Sequence, residues 1–208
     1  LAHVSGLGHY EMSINGARVG DALLTPGWTA YDKTCFYDTH DITSLLAAGE
    51  NAAGLMLGSG MYNVQEGRYV KFVGRFRPLG AIALIRLEYE DGSTHFVVTD
   101  GNWRATAGPI TFSNIFGGED YNACIEPAGW NKSGFDAAHW QAAAEFAGPG
   151  GLLRGVSQAP PPFRAHETLK PVALQLRAGV AVYDFGQNAS IMIRLRVRGP
   201  AGARVKII

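Results

Sequence analysis

Apolar and polar residues alternate along most of the chain with a period of two, the pattern of β-strands that bury one face. The dipeptides Asn15-Gly16 and Asp91-Gly92 are typical of hairpin turns, because such turns need a positive φ that these residue types adopt readily. Short strands separated by turns predict an all-β fold, a jelly-roll-like antiparallel β-sandwich. The strands predicted for this sandwich are 10–14, 35–37, 53–57, 81–89 and 94–99.

Helical patterns are sparse. Residues 41–47 begin with a capping-type aspartate and end before a glycine, which is enough for one short turn. Residues 135–140 form a second short candidate. Neither segment changes the expected all-β class.

A proline run at 160–162 divides the chain. Proline fixes its own φ and cannot donate to a β-ladder, so this run predicts a stiff extended connector. We therefore predict an N-terminal β-sandwich domain over 1–156, and a linker with the incomplete start of a second β-sandwich over 157–208. This second part is too small to bury a core alone. Its predicted strands are 172–176, 180–185 and 192–197.

Strand-like alternation reaches both ends of the sequence, which begins at Leu1 without methionine and stops at Ile208. Strands at these positions would leave backbone groups and an apolar face unpaired. We therefore expect a piece of a longer polypeptide. The missing leader then says nothing about localisation, which stays undetermined.

Composition excludes several classes of partner. Hydrophobic residues make up 47% and charged residues 17% of the chain, as in a folded globular protein. The 18 basic and 18 acidic residues balance to zero net charge, and no basic stripe supports binding to nucleic acid or to an anionic membrane. The apolar runs are too short to span a bilayer.

The residues that could bind metal follow no metal-site spacing. Cys35 and Cys124 could pair in an oxidising compartment or stay free, and free thiols are favoured because a domain of this size needs no staple. The six histidines lack the spacing of a zinc site. Calcium is a conceivable but unsupported ligand, so no cofactor is predicted. The oxygen-bearing side chains considered for it are Asp21, Asp38, Asp41 and Asn51.

Three motifs occur in a fixed order: PGWTAYD at 26–32, GGEDY at 117–121 and YDFGQN at 183–188. Together with their surroundings they resemble bacterial α-L-rhamnosidases, covering the N-terminal β-sandwich and the start of the following concanavalin-like domain. The resemblance implies several β-sandwiches around an (α/α)6 barrel that carries the catalytic acids. It also implies a parent enzyme that releases terminal L-rhamnose by hydrolysis with inversion.

The sequence departs from the family pattern at three places. Met61 stands where the family usually has tryptophan, and Asn122 stands where it has aspartate. Ala123-Cys124 replaces the usual Ala-Arg. These departures weaken the transfer of ligand contacts at those positions.

Glu119 and Asp120 are the first candidates for glycosidase acids, but adjacent strand residues point to opposite faces. They are therefore not expected to flank one glycosidic bond, and no catalytic residue is predicted. For these two acids the alternatives left open are a strand entry, or a role facing a sugar or the neighbouring domain. Trp28 and Tyr31 could bind a sugar or fill the end of the sandwich. The carbohydrate-binding candidates are Trp28, Tyr31, Asp32, Tyr62, Asn63, Glu119, Asp120 and Tyr121.

The YDFGQN loop is the candidate for contact between domains, through Asp184, Gln187 and Asn188. The function predicted for the chain is structural support for a catalytic barrel that it does not contain. The alternative is a carbohydrate-binding module for rhamnose or a related sugar. The expected partners are the rest of the parent polypeptide and a rhamnose-containing glycoside.

Overall fold

A computed structural model describes residues 1–76, 78–156 and 161–208. The chain forms two compact units, Leu1–Arg164 and Ala165–Ile208. The predicted boundary near residue 157 falls outside the described residues and stays a prediction.

The elements confirm the predicted all-β class. In the first unit the strands are β1 (Ala2–Leu7), β2 (His9–Ile14), β3 (Ala17–Arg18), β4 (Thr34–His40), β5 (Ala53–Gly58), β6 (Asn63–Val64), β7 (Gly74–Arg75), β8 (Gly80–Glu88), β9 (Thr94–Val98), β10 (Arg104–Ala105), β11 (Ile110–Asn114), β12 (Gly118–Tyr121), β13 (Gln141–Ala142) and β14 (Leu152–Gly155). The second unit contains β15 (Ala173–Arg177) and β16 (Val180–Asp184). Short 3-10 turns lie at Thr43–Leu45 and Ala123–Ile125. Among the described residues, no helix has the length and apolarity needed to cross a membrane.

Two sheets form the sandwich of the first unit. The larger has the order β14-β4-β1-β8-β9 and the smaller the order β3-β2-β5. Their strands pair antiparallel, except that β14 runs parallel to β4. The side chains buried in the main core cluster are Ala2, Val4, Tyr10, Met12, Ile14, Val19, Ile42, Ala83 and Ile85.

Both predicted hairpins are present. Asn15 and Gly16 adopt φ of 52° and 83° between β2 and β3, as a two-residue turn requires. The turn between β8 and β9 is longer than the dipeptide suggests, since the amide of Tyr89 donates to the carbonyl of Ser93 at 3.0 Å. Gly92 takes φ 82° in this three-residue loop.

Two local predictions differ from the structure. Residues 135–140 form turns rather than a helix, and 192–197 are not in a strand. A strand needs a neighbour to complete its ladder. In the described part of the second unit the only strand pairing is the β15–β16 hairpin, whose ten strand residues are all exposed.

Candidate functional site

The GGEDY motif forms a hairpin in which β11 and β12 pair antiparallel. Asn114, which is buried, holds its turn: Oδ1 accepts hydrogen bonds from the amides of Phe116 at 2.7 Å and Gly117 at 2.8 Å. Its Nδ2 donates to the carbonyl of Gln65 at 2.7 Å. The hairpin is therefore attached to the loop that follows β6.

Glu119 and Asp120 meet different neighbours. Asp120 forms an ion pair with Arg68, whose guanidinium lies 4.2 Å from the ring centre of Phe112. Burial, and then the charge of Glu11, raise the pKa of Glu119. These two adjacent carboxylates consequently experience opposite electrostatic surroundings, one beside a cation and the other beside an anion.

Glu11 is the second carboxylate near Glu119. It lies on β2 and pairs with Arg18 at 3.3 Å, with 58% of its side chain exposed. Glu119 is itself an exposed residue. Glu119 is thus exposed over the residue as a whole although its carboxyl group is partly desolvated, and water weakens its repulsion with Glu11.

Tyr121 is half exposed, and its hydroxyl donates to Glu126. Burial and the hydrogen bond to that carboxylate raise the pKa of Tyr121 to about 12. Asn122 follows and begins the second 3-10 turn, with Oδ1 accepting from the amide of Cys124 at 3.1 Å. An asparagine at the family's aspartate position thus serves as a cap for this turn.

The PGWTAYD motif divides between the interior and the surface. Tyr31 is 4% exposed, with its ring centre 5.0 Å from that of Tyr62 and 5.6 Å from that of Phe76. Burial raises the pKa of Tyr31 to about 12. Trp28 is 65% exposed, and Asp32 is also on the surface.

Tyr62 is fully buried in the same aromatic group, whereas the neighbouring Asn63 is half-buried. Neither Tyr31 nor Tyr62 offers an open ring face to a ligand. Their placement corresponds to the alternative in which large aromatic side chains fill the end of a sandwich. Among the aromatic candidates, Trp28 and Tyr121 present exposed surface.

A buried polar network was not anticipated from the sequence. The hydroxyl of Tyr10 donates to Asp38 at 2.7 Å and lies 3.0 Å from Nε2 of His40, while Thr25 also donates to Asp38. Burial raises the pKa of Tyr10 and lowers that of His40, although the charge of Asp38 opposes the latter shift. One signal was available: Asp38 and His40 alternate along β4 opposite the core residues Val4 and Ala2.

The other polar candidates lie in separate local structures. Asp21 pairs with Arg164 at 2.9 Å, Asp41 accepts from the amide of Thr43 at 2.9 Å, and Oδ1 of Asn51 accepts from Asn15 Nδ2 at 2.7 Å. These contacts bring none of the three to a common point with Asp38.

The two cysteines are free, Cys35 buried and Cys124 exposed. In the second unit, Oδ1 of Asp184 accepts from the amide of Gly186 at 2.7 Å, which closes a turn. Gln187 and Asn188 follow on the surface.

A groove of about 380 Å³ lies on the larger sheet. Its lining is mostly apolar and includes no carboxylate. The lining residues are His3, Ser5, Tyr37, Ile82, Leu84 and Leu153.

The fold and these placements define a β-sandwich module with the opening hairpin of a further unit, without converging catalytic acids among the described residues. The chain belongs to the α-L-rhamnosidase family: residues 1–167 match the family described as "Alpha-L-rhamnosidase N-terminal domain". Residues 174–208 match the "Bacterial alpha-L-rhamnosidase concanavalin-like domain". The matched regions are a non-catalytic portion of that architecture.

Relatives and solved structures agree with this assignment. The chain is 36% identical to an α-L-rhamnosidase of Streptomyces avermitilis over 99% of its own length and 20% of the relative's. It is 32% identical to one from Formosa agariphila, covering 99% of the chain and 22% of the relative. The chain thus spans about a fifth of the length of these curated relatives.

Two solved structures resemble its fold closely. An α-L-rhamnosidase from Dictyoglumus thermophilum has a TM-score of 0.80 at 39% identity, over 90% of this chain and 20% of that one. The Streptomyces avermitilis α-L-rhamnosidase complexed with L-rhamnose has a TM-score of 0.81 at 34% identity, over 90% of this chain and 18% of that one.

Proposed function

We propose that the chain is a structural portion of an α-L-rhamnosidase and braces a catalytic (α/α)6 barrel located elsewhere in the polypeptide. The parent enzyme would release terminal L-rhamnose from glycosides. The observation that carries this proposal is that nearly the whole chain matches rhamnosidases, yet accounts for only 20% and 22% of two of them.

The electrostatics of the GGEDY hairpin support a non-catalytic role. An inverting glycosidase needs two carboxyl groups about 6.5–9.5 Å apart, one protonated and one ionised, with a water between them and the sugar. Asp120 is neutralised by Arg68, and Glu119 lies beside Glu11 on an exposed surface. Neither arrangement excludes water or surrounds a sugar ring.

An activity assay tests the proposal directly. Purified residues 1–208 should release no nitrophenol from an aryl rhamnoside above the buffer rate, and Glu119→Gln should change nothing. Turnover by the wild-type chain that disappears in Glu119→Gln would overturn the structural role. A longer polypeptide that contains the barrel serves as the positive control.

Carbohydrate binding is the second candidate, favoured by the 65% exposure of Trp28 and by the surface carboxylate Asp32 in the same PGWTAYD motif. An exposed aromatic ring beside a carboxylate could stack on a sugar and accept from its hydroxyls. Titration with L-rhamnose, with and without calcium, should then shift tryptophan fluorescence saturably, and Trp28→Ala should abolish the shift. Tyr89→Ala removes an aromatic ring of comparable exposure from the β8–β9 turn and is the matched control. A flat titration rejects binding and leaves bracing.

The YDFGQN loop is proposed to contact another domain of the parent through Asp184, Gln187 and Asn188. In a longer polypeptide, Gln187→Ala should lower the melting temperature more than it alters substrate affinity. The reverse result would reject this role.

A further inference from the structure

The larger sheet has one face turned away from the smaller sheet, which we call the outer face. On it, Leu84 pairs with His3 on one side and Val98 on the other, and Ile82 pairs with Ser5. Large apolar side chains on this face remain substantially exposed. Their exposed fractions are 53% for Ile82, 37% for Leu84, 54% for Phe96, 45% for Val98 and 52% for Leu153.

The sequence of β8 is unusual for a strand with one wet face. Residues 81–85 read AIALI and are apolar at both inward and outward positions, and residues 96–98 of β9 read FVV. A half-solvated antiparallel strand normally alternates apolar and polar residues, whereas continuous apolar runs belong to strands covered on both faces. The outer face therefore has the composition of a covered surface.

The chain itself covers part of the outer face. Leu7 and Cys35, which lie on the outer side of β1 and β4, pack with Tyr31 and Tyr62. Phe146 lies so close over Gly80 that a Cβ there would approach the ring within 2.5 Å. A packed layer thus begins at one end of the face and stops before Ile82.

The groove on the outer face has the chemistry of an apolar docking site. Nδ1 of His3 is 2.9 Å from Thr39 Oγ1, and Ser5 Oγ donates to the carbonyl of Phe36 at 2.7 Å. Two of the few polar groups that line the groove are therefore already engaged, and the rest of the lining is mostly apolar, which disfavours a sugar rich in hydroxyls. Further along β8, Arg86 and Glu88 form an ion pair, so this part of the strand adds no net charge.

We infer that the outer face is an intramolecular interface covered by an uncharged, apolar surface of a further domain of the same α-L-rhamnosidase polypeptide. Exposed apolar patches of this kind mark interaction sites. Two relatives each align with 99% of this chain, and the aligned stretch is about a fifth of their length. In those relatives, the polypeptide outside the aligned stretch is therefore several times longer than the stretch itself. The inference rests on the proposed structural role of the chain, and it assigns the surface through which the chain would support the rest of the polypeptide.

Thiol accessibility can locate the covering surface. In a Cys124→Ser background, which removes the exposed native thiol, Leu84→Cys reports on the outer face and Glu90→Cys reports on the exposed β8–β9 turn. In residues 1–208 alone both new thiols should react with a maleimide at similar rates. In a longer polypeptide that includes the barrel, Leu84→Cys should react at least about tenfold more slowly while Glu90→Cys is unchanged, because a thiol reacts only while it is accessible.

The outcomes separate the alternatives. Equal labelling of Leu84→Cys in both proteins overturns the inference. Protection in residues 1–208 that grows with protein concentration assigns the face to a second copy and also overturns it. Ile82→Cys repeats the measurement if Leu84→Cys does not fold. Aryl rhamnoside turnover by the longer polypeptide is scored separately, so protection without turnover rejects the activity proposed for the parent while keeping the interface.

Discussion

The two sides of strand β8 carry similar residues in opposite surroundings. Ala83 and Ile85 face the smaller sheet and are 2% and 5% exposed, whereas Ile82 and Leu84 face outward and are 53% and 37% exposed. The inner side chains contact β1, β2 and the strands around them in the main core. Hydrophobicity alone therefore does not decide burial; the presence of a second layer does.

The two faces of β8 therefore have different roles, one in the stability of the fold and the other in contacts with a further domain. Inner residues hold the first unit together, because removing them leaves a cavity that the packed surroundings cannot close. Outer residues contribute little until another surface covers them. The same strand would thus serve folding through one face and docking through the other.

The largest expected effect comes from a matched pair of truncations on β8. Ile85→Ala should lower the free energy of unfolding of residues 1–208 by about 2–5 kcal/mol, because it empties a packed site. Ile82→Ala should change it by no more than about 0.5 kcal/mol, because the side chain is half solvated. Urea titrations followed by circular dichroism measure both, and equal losses would abolish the distinction between the two faces.

A smaller loss is expected from the buried network. Tyr10→Phe removes a donor from Asp38, which is 7% exposed, and should cost about 1–3 kcal/mol. Tyr121→Phe deletes a hydroxyl that donates to Glu126 on the surface and should cost no more than about 0.5 kcal/mol. A similar cost for both in urea titration would mean that burial does not strengthen the polar contact.

Stability should also fall in mild acid. Burial lowers the pKa of His9 and His40 below 6.5, so the folded chain keeps both imidazoles neutral while the unfolded chain protonates them near pH 6.5. The contribution of these two histidines to the free energy of unfolding is therefore fully present above about pH 6.5 and decreases as the pH drops below it. Unfolding at pH 7.5 and 5.5 measures the slope, which should be shallower in His40→Gln and unaltered in Ile82→Ala.

The smallest effect is expected at the exposed ion pair of the GGEDY hairpin. Arg68 and Asp120 have 39% and 51% of their side chains exposed. Asp120→Asn should lower the free energy of unfolding by less than about 1 kcal/mol, and less still at high salt. A loss as large as that of Tyr10→Phe would show that this hairpin belongs to the structural core.

Much of the fold follows from local patterns. The strands predicted at 53–57 and 94–99 coincide with β5 and β9 to within one residue, and Asn15-Gly16 sets the register of β2 and β3. β14 was not predicted, because Leu152–Gly155 follows a Gly-Pro-Gly-Gly turn and pairs with a strand far away in sequence. Such non-local pairing leaves no periodic signal.

The candidate site also has one feature that local sequence predicts and one that depends on residues distant in sequence. The divergence of Glu119 and Asp120 follows from strand geometry, and the structure gives them separate partners. The different burial of Trp28 and Tyr31 does not follow from their residue types, since both are aromatics near one turn. The difference depends on Tyr62 and Phe76, which are distant in sequence and pack against the ring of Tyr31, while Trp28 stays exposed.

The parallel pairing of β14 with β4 has a consequence for biosynthesis. Leu152–Gly155 completes the edge of a sheet whose central strand is Ala2–Leu7. The ribosome must therefore synthesise nearly the entire first unit before β14 can pair with β4. Until then, this side of β4 has no partner strand in the nascent chain. Contacts between such distant parts of a chain slow folding, and they prolong the period in which an unpaired strand edge is accessible to a chaperone.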